Sequence, residues 1–79
     1  MEHRSKVVGV KQTLKVIRQG RAMSVYLAED ADSFVAAPII DACKEHGVRL
    51  EYVSSKAALG RQCHIDVPSA VAADVNSAE

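Results

Sequence analysis

An α/β sandwich built on a mixed sheet is the fold this sequence predicts, and three observations lead to it. Short apolar runs of strand length alternate with segments whose apolar residues recur at helical spacing. Gly20, Gly47 and Gly60 fall at the ends of the helical segments, where chain reversal is expected. The 79 residues, 48% of them hydrophobic, suffice for one domain with one modest core.

Taken in order, Val7-Val8-Gly9 reads as a short strand or an extended entry into the first helix. From Val10 to Gly20, Val10, Leu14 and Ile17 recur at i, i+4 and i+7 and form a stripe to be buried. Gly20 ends that helix. Ser24-Val25-Tyr26-Leu27-Ala28 is a nearly continuous apolar run, as expected of a strand covered on both faces. Glu29 to Ser33 is a polar turn, after which Asp32 or Ser33 caps a turn of helix carrying Phe34 and Val35. Pro38 is expected to break that turn and to start the main helix, Pro38 to His46, with Ile39, Ile40 and Cys43 inward and Gly47 at its end. Val48, Leu50 and Tyr52 alternate with Arg49 and Glu51, the pattern of a half-covered strand. Ser54 or Ser55 caps a short helix that runs through Leu59 and stops at Gly60. Gly60 to Pro68 is a loop, and Ser69 to Ala73 a last strand of small residues. The whole chain, 1–79, is thus expected to be a single domain with a tail frayed from about residue 75.

Charge supplies the first functional signal. The formal net charge is zero, yet residues 1–21 hold six cations against Glu2 alone, while the remainder holds four cations and nine acids. Such asymmetry focuses a positive field over one region of a near-neutral molecule. Lys11, Lys15 and Arg18 share one face of the first helix. The start of a helix carries about half a positive charge, so Lys11 there costs a few tenths of a kcal/mol, up to about 1, unless an anion lies against it. A phosphate backbone turns that penalty into a gain, because free amide N–H groups and lysines then point at the same anion. A nucleic-acid partner is expected; a solvated helix face beside an acidic remainder is the plainer alternative.

Other chemistry finds little support. No apolar run approaches the ~20 residues needed to cross a bilayer, and Met1 to Lys6 is polar and charged, unlike a signal core. A cytoplasmic chain with no membrane partner is expected. Cys43 and Cys63 are expected as buried thiols. Cys43 with His46, or Cys63 with the adjacent His64, match no metal-ligand spacing. Cys63-His64 lacks an orienting third group for nucleophilic catalysis, and the four glycines are isolated, forming no phosphate loop. No catalytic residue, metal or cofactor is therefore expected. Phe34, Tyr26 and Tyr52 are the only aromatics, too few for a binder that works by stacking bases along a strand.

Three segments together resemble a known family: Gly9-Val10-Lys11-Gln12-Thr13-Leu14-Lys15, then Ala28-Glu29-Asp30-Ala31-Asp32, then Ser55-Lys56-Ala57-Ala58-Leu59-Gly60-Arg61-Gln62-Cys63. Their order and spacing are those of the kink-turn-binding ribosomal proteins, the L7Ae group with the L30e proteins as relatives. The likeness covers roughly residues 6–75, and the Lys11-Gln12 pair looks most like the short bacterial members. The resemblance implies a three-layer α-β-α sandwich with a mixed four-stranded sheet. It also implies a monomeric, cytoplasmic, ribosome-associated protein whose partner is structured RNA, either ribosomal or regulatory, bent at tandem sheared G·A pairs.

Carried over residue by residue, the resemblance places Gly9, Lys11, Gln12 and Lys15 at the bend, with Gly9 leaving room for close backbone approach. Archaeal and eukaryotic members typically have asparagine and glutamate at the positions of Lys11 and Gln12, so those base-edge contacts differ here. A Lys offers only donors, which suit guanine O6 and N7 or a phosphate, whereas a Gln amide both donates and accepts. Asp32 stands where the family contacts an extruded base; capping a helix is its other reading. Lys56 matches a lysine that approaches the RNA backbone, and Arg61 belongs to the same segment. Ile65 and Val67 fall in the loop that covers the extruded base with apolar surface, against the alternative of ordinary packing at the sheet's end. His64 stands where the family usually has glycine, and Pro68 has counterparts in some members. Two competing readings are a protein-interaction module on the same fold and a ribosome-associated RNA binder without motif preference.

Overall fold

A computed structural model of the chain describes residues 4–76. They form, in order, β1 (Arg4–Val8), α1 (Val10–Arg18), β2 (Ala22–Ala28), α2 (Ser33–His46), β3 (Arg49–Val53), α3 (Lys56–Gln62) and β4 (Val71–Asn76). The four strands make one mixed sheet in the order β1-β4-β2-β3. β4 runs antiparallel to both β1 and β2, and β3 is parallel to β2. Three strands therefore point one way and β4 the other. This is the mixed four-stranded sheet, covered on both faces, that the sequence predicts.

The two faces of the sheet carry separate cores. α1 and α2 cover one face, where Val16, Ile17, Ile39, Ala42 and Cys43 pack on Val25, Leu27, Val71, Ala73 and Val75. α3 covers one end of the other face, with Leu59 against Ala28 and Ala72 and half-buried Val8, Val53 and Cys63 around them. β2 and β4 lie inside the sheet, which is why both read as apolar runs without alternation. β3 is an edge strand; its Leu50 is half buried while Tyr52 stays exposed.

Four local expectations need correction. First, α2 is continuous from Ser33 to His46 and contains Pro38 in its interior. Val35 and Ala36 before the proline, and Ile39, Ala42 and Cys43 after it, all pack on the same core, so burial holds both halves in one line. Pro38 lies on the exposed side, where the carbonyl left without its N–H partner is free to meet water. Second, α3 passes through Gly60 and ends at Gln62. Third, the buried stripe of α1 is Thr13, Val16 and Ile17, with Val10 and Leu14 at its margins. The Thr13 hydroxyl is buried without a hydrogen-bond partner among the described residues. Fourth, the last strand starts two residues later than expected and runs to Asn76, which pairs with Arg4. The tail expected to fray from about residue 75 is still strand at Val75 and Asn76, and its remaining residues, 77–79, lie outside the described residues.

The part of the second face that α3 leaves open is polar. The Lys6 ammonium sits 3.0 Å from Asp74 Oδ1, the Tyr26 hydroxyl donates to Asp74 Oδ2 at 2.9 Å, and Lys6 lies over the Tyr26 ring at 5.4 Å. The hydrogen bond to Asp74, followed by burial, raises the Tyr26 hydroxyl above its ordinary 10.0. Burial alone lowers Lys6, but the hydrogen bond and charge of Asp74 outweigh it and hold the ammonium above 10.5. Both groups bind their protons more tightly when folded, so their stabilisation is intact below the unfolded values and is lost as pH rises through the folded ones. Urea unfolding midpoints are accordingly expected to hold up to about pH 10 and to fall above it, with a shallower fall in Tyr26→Phe. An equal fall in the variant would show that Tyr26 contributes nothing.

Candidate nucleic-acid interface

One edge of the sheet gathers most of the residues singled out by sequence. Val8 pairs with Ala72, Leu27 with Val71, and Ala28 with Val53, so β1, β2 and β3 end where β4 begins. At that edge α1 starts after β1, the 29–32 turn follows β2, α3 starts after β3, and the 63–70 loop leads into β4. Ligands of open α/β sheets commonly bind outside the carboxyl ends of the strands, at a place where neighbouring connections diverge.

The segments are tied together by backbone. The Gly9 N–H donates to the Val71 carbonyl at 3.0 Å and fixes the start of α1 against β4. The Ala28 N–H donates to Ala70 at 2.9 Å, and the Glu29 N–H to Val53 at 2.8 Å. Asp30, read from sequence as part of a solvated turn, accepts the Lys56 N–H at 2.8 Å and so links the 29–32 turn to α3. The Lys56 carbonyl in turn accepts the Ser69 N–H at 3.1 Å. Ser55 caps α3 through its hydroxyl, which accepts the Ala58 N–H at 3.0 Å.

α1 opens without any side-chain cap and without an acidic residue in its first turn. Its N-cap, Gly9, has φ 98°, a region that favours glycine, and the space around the glycine is open. Thr13 makes the first intrahelical bond, to Gly9, so the amides of Val10, Lys11 and Gln12 have no acceptor within the helix. Lys11, Gln12 and Lys15 are exposed around them, with Lys11 and Lys15 one turn apart on the same side. Among the described residues the ion pairs are Lys6 with Asp74 and Arg49 with Glu51, so Lys11, Lys15, Lys56 and Arg61 enter none. The positive charge of α1 therefore faces outward, paired with no carboxylate among the described residues.

The remaining residues differ in how closely they join this patch. Asp32 is the N-cap of α2, but its carboxylate makes no capping hydrogen bond and stays exposed. Lys56 is half exposed at the start of α3. Arg61 is exposed farther along that helix, on the side of the sheet opposite α1, and is the least closely placed. Ile65 is half buried and Val67 is 62% exposed, and neither belongs to a core cluster. Gly60 faces the Val67 carbonyl so closely that a Cβ would run into it. That contact, which no local pattern signals, explains a glycine within α3 and sets the course of the loop. Among the described residues no three of His, Cys, Asp and Glu gather as a metal site, and both cysteines are free thiols. Burial raises both thiols above their ordinary value.

Two features go beyond the sequence reading, which marked His64 only as standing where the family usually has glycine and did not single out Phe34 as exposed. His64 has φ 62°, in the left-handed region where a non-glycine residue is strained. His64→Gly is therefore expected to raise stability by roughly 0.5–1 kcal/mol, the relieved strain outweighing the added freedom of the unfolded chain. A lower melting temperature in the variant would contradict this. Phe34, in the first turn of α2 beside Asp32, is 90% exposed. Its signal is helical phase: once the helix runs unbroken through Pro38, Phe34 falls opposite Ile39 and Cys43.

A small α-β-α sandwich with a cationic helix start set beside a cluster of loops is the class of protein that fold and site define. The model of the ribosomal protein L7Ae/L30e/S12e/Gadd45 family matches residues 1–79. The chain belongs to this family, as its three sequence segments imply. It is 46% identical over 70 residues to an RNA-binding protein of Caldanaerobacter subterraneus subsp. tengcongensis, covering 89% of this chain and 85% of that one. It is 37% identical over 67 residues to the RNA-binding protein YbxF of Geobacillus stearothermophilus, covering 85% and 82%. Among solved structures, the Giardia lamblia 15.5kD RNA binding protein superposes with a TM-score of 0.84 at 33% identity over 95% of this chain. This chain spans 62% of that protein's length. A Bacillus halodurans protein of unknown function, 21% identical with a TM-score of 0.83, covers 91% of this chain and 72% of its own, and shares the fold.

Proposed function

We propose that this protein binds structured RNA and stabilises the kink-turn, a duplex bent sharply at tandem sheared G·A pairs, in association with the ribosome. The observation that carries the reading is the start of α1: uncapped amides with exposed Lys11 and Lys15 on one side, paired with no carboxylate among the described residues. Its support is the family, together with relatives named as RNA-binding proteins.

Each residue has a chemical part. The α1 amides and the two ammoniums meet phosphate or guanine acceptors in the opened groove. Gln12 reads a base edge with its amide, donating and accepting. Asp32 accepts from the N–H of an extruded base, a selective contact because carboxylate next to RNA is otherwise repelled. Ile65 and Val67 cover that base with apolar surface, and Lys56 and Arg61 stand toward the RNA backbone. A free kink-turn exchanges between bent and extended forms, and a protein that contacts only the bent form draws the population to it.

The test compares binding to a kink-turn duplex and to the same duplex with its G·A pairs changed to Watson–Crick pairs. The native motif is expected to bind more tightly, with affinity falling steeply as salt rises because neutralised phosphates release counterions. Equal affinities would leave only an unselective RNA binder. Absence of RNA binding at low salt would point instead to a protein partner.

A further inference from the structure

One large apolar side chain at the margin of the interface faces water. Phe34, the only phenylalanine of the chain, is 90% exposed in the first turn of α2. Isolated apolar residues are common on protein surfaces, but three observations set this one apart. First, the ring adds nothing to the fold: Phe34 belongs to neither core cluster, and alanine is the better helix former at such a place. Second, its backbone is fixed. The Asp32 carbonyl accepts the Val35 and Ala36 N–H groups, both at 2.9 Å, and the Ala31 N–H donates to Ala28 at 3.1 Å, fastening the turn to the end of β2. Third, it borders the cationic patch. Val10 in the first turn of α1 and Val35 in the first turn of α2 pack on one core, so the two helix starts lie side by side at the loop-bearing edge. Lys11 and Phe34, each next to one of those valines, are exposed there together with Asp32.

The helical neighbours of the ring leave its face open. Ala37 and Pro38, at i+3 and i+4, are exposed, and their side chains carry no charge and no hydrogen-bonding group. A surface of this kind suits a flat apolar guest. An unpaired nucleobase turned out of its helix is such a guest, and aromatic side chains take it up by stacking. A phenylalanine ring turns about two side-chain torsions, so little freedom is lost when a base settles on it. One ring serves one base, which is consistent with a chain too poor in aromatics to bind a strand by stacking.

We propose that Phe34 is a stacking platform for one unpaired base of the bent RNA, beside the extruded base whose N–H meets Asp32. The proposal rests on the kink-turn reading above and adds a selective contact to the same site. The ring reads no base edge. It asks only that a base at this place be unpaired, and so it favours the bend over a continuous duplex.

The experiment uses the full chain, Phe34→Ala, Phe34→Leu and Phe34→Trp, and a kink-turn RNA in which the unpaired nucleotides are made abasic one at a time. Phe34→Ala is expected to lose about tenfold in affinity, with its salt slope unchanged because no phosphate contact is removed. Phe34→Leu should lose nearly as much, and Phe34→Trp should bind at least as tightly as the wild type. One abasic position should cost the wild type a similar factor and Phe34→Ala nothing further. An abasic site at the extruded base should cost both proteins alike. All variants should melt close to the wild type, because the replaced side chain is exposed. Unchanged affinity in Phe34→Ala, which would leave the ring to a protein partner, would overturn the proposal. So would a leucine variant equal to the wild type, or abasic sites that all cost the alanine variant as much as the wild type. In each of these cases a retained preference for G·A pairs would keep the kink-turn reading intact, whereas a wild type indifferent to those pairs would remove both.

Discussion

Lys15→Ala is expected to weaken kink-turn binding by about 1–3 kcal/mol, the range for losing one good base or charged contact. The side chain lies one turn beyond Lys11, exposed and outside any ion pair among the described residues, so its charge is fully available to RNA. For the same reason its removal should leave folding stability nearly untouched, within about 0.5 kcal/mol. The two readouts separate a lost contact from a damaged fold. Titration at fixed, moderate salt, beside a thermal melt, provides both. Unchanged affinity with an unchanged melt would take Lys15 out of the interface.

Gly60→Ala is the second large effect, and it acts on the protein itself. An added Cβ meets the Val67 carbonyl oxygen, with the Val67 carbonyl carbon 3.2 Å and Pro68 Cα 3.3 Å away. These are backbone atoms, so the strain cannot be relieved by rotating a side chain. Alanine gains about 1 kcal/mol of helix propensity over glycine, but overpacking of this kind costs about 1–3 kcal/mol and occasionally more. A net loss of up to about 2 kcal/mol is expected in the melt. Affinity should fall as well, because any shift that admits the methyl displaces Val67 and Ile65. A melting temperature at or above the wild-type value would mean that the loop stands farther from α3 than the structure places it.

Gly60 also marks where sequence reading reaches its limit. A glycine after Leu59 looks like a helix stop because local patterns carry no knowledge of a backbone arriving from residue 67. Pro38 misleads in the same way: its local preference is to break a helix, and burial of Val35 and Ala36 on one side and Ile39, Ala42 and Cys43 on the other overrides it. The apolar run of β2 was legible because burial of a strand writes itself into neighbouring residues, whereas the alternation read in β3 holds for Leu50 and fails at Tyr52, which this edge strand leaves exposed while Glu51 is half buried. The start of α1 was legible for a different reason, namely that Lys11 contradicts the helix dipole and so demands an explanation. Asp30 had no such mark. Three acids in a turn look alike until the fold brings the Lys56 amide to one of them.

The links between Gly9 and Val71, Ala28 and Ala70, Asp30 and Lys56, and Lys56 and Ser69 have an energetic consequence for association. Segments already fastened to one another lose little conformational freedom when a guest arrives, so the entropic penalty of docking falls mainly on the nucleic acid. Amide protons along these connections should exchange slowly before any RNA is added and change little afterwards, as in a mould that is cast before it is filled.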